Sequence, residues 1–139
     1  MKSADGFGRA YWTCAGFTLF SAIVSAGFSL LALRMAGGHE YALYAASRSV
    51  ALPLAVIYAM TLRSCGGTAT LAVAMTLVQL FDGIVGLRLH DPGRAYGPMV
   101  FAAINFGLLV WMNRTAAYVQ DLHSSDSRLR GLADDPPGA

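Results

Sequence analysis

The sequence predicts an all-α polytopic membrane protein, a four-transmembrane-helix up-down bundle with both termini on the cytoplasmic side. Three observations carry this. The 139 residues are 55% hydrophobic and only 13% charged, against roughly 25% charged residues in a soluble domain. The charges gather in short islands between four long apolar runs, at about 10–33, 41–62, 67–87 and 97–113. A bilayer-spanning helix needs ~20 such residues, and none of the runs alternates as transmembrane strands do.

Each run can be justified in turn. Helix 1 follows Lys2 and Arg9, but its apolar stretch is too long for a signal peptide, so an uncleaved span is expected. Tyr11 and Trp12 open it, Tyr41 and Tyr44 open helix 2, Tyr96 precedes helix 4 and Trp111 closes it, as an interfacial aromatic belt does. Pro53 should bend helix 2 and free a carbonyl near Ser49, and Pro98 suits the first turn of helix 4. Gly37-Gly38, Gly66-Gly67 and Asp91-Pro92-Gly93 read as the three connections, short enough to make successive helices antiparallel neighbours. Residues 1–114 thus form the transmembrane domain. Residues 115–139, rich in Ser, Asp and Pro, read as a cytoplasmic tail, largely disordered beyond any first turns that extend helix 4.

Orientation follows from basic residues outside the spans. With the N-terminus inside, Lys2, Arg9, Arg63, Arg114, Arg128 and Arg130 are cytoplasmic and Arg34, Arg88 and Arg94 external, six against three. The expected location is the inner (plasma) membrane. Net charge of +2 gives no ground for a nucleic-acid partner. Cys14 and Cys65 lack CxxC spacing and read as unpaired thiols.

Inside the apolar runs only Arg48 and Asp82 carry full charge, and an ionisable residue within a membrane is a functional-site hypothesis by default. Counting depth at 1.5 Å per residue sets Arg48, Asp82, Gln79, Asn105 and Ser25 in one layer of the outer half. Arg48 is expected to pair with Asp82, with Gln79 and Asn105 completing the hydrogen bonds. Asp82, Arg48 and Gln79 are the candidate catalytic residues, and Ser25, Tyr44, Asn105 and His90 the candidate ligand contacts. His39-Glu40 and His90-Asp91 would line the mouth, but their spacing fits no metal site, so no metal is expected. Nothing resembles a nucleotide or haem site, and no cofactor is expected. The small residues of helix 1, with Gly83 and Gly86 of helix 3, read as close-packing faces.

Arg48 within SRSVALPLAVIYAM and the stretch VQLFDGIVGLRLHDPGRAYGP resemble small four-helix bacterial membrane proteins of unknown function, distantly similar to the DoxX-like group. The likeness spans roughly residues 40–112, and it implies a four-helix membrane bundle with no agreed activity. Three functions stay open. The first is binding, or isomerising or cyclising, a small lipophilic molecule at the Arg/Asp/Gln/Asn site. The second is a non-catalytic accessory or assembly subunit. The third is a small proton-coupled transporter, which is disfavoured because helix 1 lacks the acid of small multidrug exporters. Expected partners are the bilayer and a lipophilic ligand, with homo-oligomerisation left open.

Overall fold

The structure, a computed structural model, describes residues 2–35 and 40–134. Four helices follow in order: α1 Lys2–Met35, α2 Glu40–Thr61, α3 Cys65–Arg88 and α4 Pro92–Asp134. Each contains a segment long and apolar enough to cross a membrane: Gly6–Met35, Leu43–Thr61, Cys65–Arg88 and Ala95–Leu122. Gly37, Gly38 and His39 of the first connection, and residues 135–139, lie outside the described residues.

The two described turns differ from expectation. Gly66-Gly67 and Pro92-Gly93 are not connections but the first turns of α3 and α4. The chain reverses instead at Leu62-Arg63-Ser64 and Leu89-His90-Asp91, and the two turns share one construction. Arg63 (φ 48°) and His90 (φ 56°) adopt the left-handed conformation. Around them Arg63 N–H donates to Met60 O and Ser64 N–H to Ala59 O, while His90 N–H donates to Leu87 O and Asp91 N–H to Gly86 O. These paired 5→2 and 6→1 bonds are the Schellman termination of a helix. The next residue then caps the next helix. Ser64 Oγ accepts from Gly67 N–H at 3.0 Å, and Asp91 precedes Pro92, whose missing N–H suits the first helical position. Pro98 is accordingly inside α4 and not at its start.

Helix α1 touches all three others, and α3 packs most extensively on α4; the contact between α2 and α3 is the smallest. The buried faces are built from small residues, including Ala10, Cys14, Ala22, Ala72 and Ala102, while Phe28, Leu54, Phe81 and Phe106 point outward. That inversion of the soluble pattern is expected where lipid replaces water and backbones approach closely. Gly83 serves this packing, since a Cβ there would lie 2.7 Å from Met99 Cγ and 3.2 Å from Ala95 O. At the end where α1 begins, Tyr11, Cys14, Ala72, Leu109 and Met112 form a continuous core. On the flank, Phe17 and Phe20 of α1 stack near Phe101 of α4 at 5.7 and 5.9 Å between ring centres.

Residues 115–134, expected to begin a disordered tail, continue α4 as helix to Asp134. The apolar character of α4 persists to Leu122, and Ser124 and Ser125 hydroxyls both donate to the Asp121 carbonyl at 2.9 Å. These serines bond within the helix rather than breaking it.

Candidate functional site

The polar residues expected to share one layer separate into two groups, one turned inward and one outward. The inward group is a hydrogen-bonded lattice among α1, α3 and α4. Asn105 of α4 is fully buried. Its Nδ2 donates to Ala72 O at 2.8 Å and to Thr76 Oγ1 at 3.2 Å. Its Oδ1 accepts from Thr18 Oγ1 at 2.9 Å, a hydroxyl that also lies 2.8 Å from Cys14 O. Next to it, Gln79 Nε2 of α3 donates to Ser21 Oγ of α1 at 2.8 Å. At the end where α1 begins, Thr68 Oγ1 reaches Tyr11 Oη at 3.4 Å. Ser29 and Ser49 hydroxyls join α1 to α2 at 2.8 Å. Among the described residues, no buried side-chain nitrogen or oxygen lacks a partner.

The level of this lattice corrects the depth count for Asn105. Because α4 begins at Pro92 and not near residue 97, Asn105 stands opposite Ala72 and Thr76. Those residues precede Asp82 by ten and six positions, roughly 15 and 9 Å along α3. Asn105 therefore lies well below Asp82. Gln79 is one turn from Asp82 but its amide is engaged with Ser21.

Arg48 and Asp82 form the outward group. Both are exposed, and neither makes an ion pair or hydrogen bond with a described residue. The expected Arg48–Asp82 bridge is absent among the described residues. The two helices that carry them make the smallest contact in the bundle. Ala59 of α2 faces α3, 3.6 Å from where a Gly67 Cβ would stand, and Arg48 is eleven residues, three turns, before Ala59 on the same stripe. On α3, Gly67 and Val78 share the stripe toward α2 by the same eleven-residue spacing, and Asp82 follows Val78 by one turn. Both charges thus border the α2–α3 seam, the most weakly packed in the bundle. A charge at the membrane centre costs roughly 3 kcal/mol on insertion scales. That cost persists until water, a headgroup or an opposite charge reaches the side chain.

The candidate ligand contacts do not converge. Ser25 is half-buried in α1 and Tyr44 is 70% exposed on α2. His90 instead lines a cleft of about 240 Å³ at the α3–α4 turn, with Leu87, Asp91, Pro92, Ala95 and Tyr96. His39 lies outside the described residues. Cys14 is buried and Cys65 half-buried, both as free thiols.

Depth alone could not assign Thr18, Ser21 and Thr76 to the lattice; small polar residues on the small-residue stripes were the only signal. No protein-family model matches the chain, and no curated protein or solved structure matches it.

Proposed function

We infer that this chain is a non-catalytic membrane subunit that acts by assembly, with the α2–α3 seam as its contact face. The observation that supports this is the division of polar groups. The buried ones are engaged with each other, while Arg48 and Asp82 stand exposed and unbridged on one side. A reaction centre would hold its charged groups beside a substrate cavity. The 240 Å³ cleft is lined by His90 and Tyr96 and includes neither charge. In this reading the chain sits in the plasma membrane, and the six-to-three bias of basic residues supports cytoplasmic termini. Reporter fusions at the two termini test that orientation. Cytoplasmic signals from both are expected, and an external signal from either would contradict it.

The cleft favours a second reading, capture of a small lipophilic molecule between Leu87, His90 and Tyr96. The resemblance to small four-helix bacterial membrane proteins fits either, since it implies a bundle and no activity.

Native mass spectrometry of protein purified in mild detergent separates the two. Assembly predicts a defined multi-chain mass without a stoichiometric small molecule. A single-chain mass carrying one lipophile per chain would overturn it.

A further inference from the structure

Resting on the assembly reading, we propose that the occupant of the α2–α3 seam is a second copy of this chain. The two copies would be related by a two-fold axis along the membrane normal, with Arg48 of each copy paired to Asp82 of the other.

The two residues are opposite in charge and alike in level. Arg48 lies eight residues after the first residue of α2, Glu40, and Asp82 six residues before the last of α3, Arg88. At 1.5 Å per residue these are roughly 12 and 9 Å from the same end of the bundle, a difference that the arginine stem spans. Rotation about an axis along the membrane normal leaves every atom at its own depth. An isologous interface can therefore match two opposite charges only if they share a level in the monomer, which these two do. They also occupy opposite banks of one seam, Arg48 on α2 and Asp82 on α3. A half-turn lays the α2 bank of one copy on the α3 bank of the other and forms both ion pairs together.

The surroundings suit a helix–helix contact. Ala51 and Ala55 follow Arg48 on its bank and allow close approach, while Tyr44 and Val85, 70% and 56% exposed, supply apolar area above the charges. The planar guanidinium can meet a carboxylate through two parallel hydrogen bonds. Each pair would remove from lipid two charges that the single chain leaves uncovered.

The test uses full-length chains carrying two different tags, with association read by co-purification and by mass in detergent. Wild type should be dimeric. Arg48→Asp and Asp82→Arg, each expressed alone, should lose association by roughly tenfold or more, because each faces like charge across the axis. Co-expressed, the two variants should form a mixed dimer, since R48D presents two carboxylates and D82R two guanidiniums. Pairing within one chain cannot produce this rescue in trans. The milder Arg48→Gln and Asp82→Asn should weaken dimerisation without lowering the helix melting temperature, which answers any failure of the reversed variants to fold. A monomeric wild type, undiminished dimers of the single variants, or no mixed dimer on co-expression would each overturn the second-copy inference. A complex holding one copy of this chain with a different chain would overturn it too, while leaving the assembly reading standing. One lipophile per single chain would defeat both.

Discussion

Gln79 of α3 donates its side-chain amide to Ser21 of α1 at 2.8 Å, one turn before Asp82 on the same side of the helix, where the Asp82 carboxylate is exposed and meets no described partner. A single helical turn thus separates a group that holds the bundle together from one that is exposed and bonded to no described residue. The same division recurs across the molecule and governs what substitutions should do.

Asn105 has the most to lose. Truncation to Ala removes bonds to Ala72 O, Thr76 Oγ1 and Thr18 Oγ1 in a fully buried position. Interhelical polar bonds average ~0.6 kcal/mol in membranes, so Asn105→Ala should cost about 1–2 kcal/mol in reversible unfolding in detergent. An unchanged unfolding curve would show that the lattice contributes nothing.

Gly83 sets the approach of α3 to α4. Gly83→Val should destabilise by about 1–3 kcal/mol, since even its Cβ would overlap Met99 Cγ and crowd the Ala95 carbonyl. Gly107 has nothing within 4 Å of a Cβ, and Gly107→Ala should be neutral or gain up to ~1 kcal/mol in helix propensity. Equal effects from both would mean that the tight α3–α4 crossing is not formed.

The left-handed residues at the two turns predict gains. Arg63 and His90 hold φ of 48° and 56°, a conformation disfavoured by roughly 1 kcal/mol or more with a side chain. Arg63→Gly and His90→Gly should each raise the melting midpoint, by about 0.5–1 kcal/mol of stability. Loss of stability at either position would contradict the Schellman termination described for α2 and α3.

Much of this fold is legible in the sequence. The apolar runs mark the four helices to within a few residues at most ends, because length and hydropathy decide which segments can span. The turns were harder. Asp91-Pro92-Gly93 has the composition of a loop, yet Asp and Pro are also the residues that start helices. Beginning helix 4 at residue 97 moved Asn105 upward by more than a turn and joined it to the wrong layer. The lattice was illegible for a related reason: depth along a helix follows from counting, but rotation about its axis does not. Outward Phe81 and Leu80 are as apolar as inward Met75, so no amphipathic stripe tells which way Asp82 turns. Small residues were the better guide, as Ala72, Gly83 and Ala102 mark the packed faces.

The most direct test compares two double substitutions under conditions where the chain is monomeric. Gln79→Leu with Asn105→Leu breaks the inward lattice, whereas Arg48→Leu with Asp82→Leu removes only the outward charges. Reversible unfolding should show the first pair losing ~2 kcal/mol or more, and the second unchanged or more stable, since exposed charges in an apolar belt are a cost. If the Arg48/Asp82 pair proves the more destabilising, the two charges are holding the bundle from within, and the division between inward lattice and outward face is wrong.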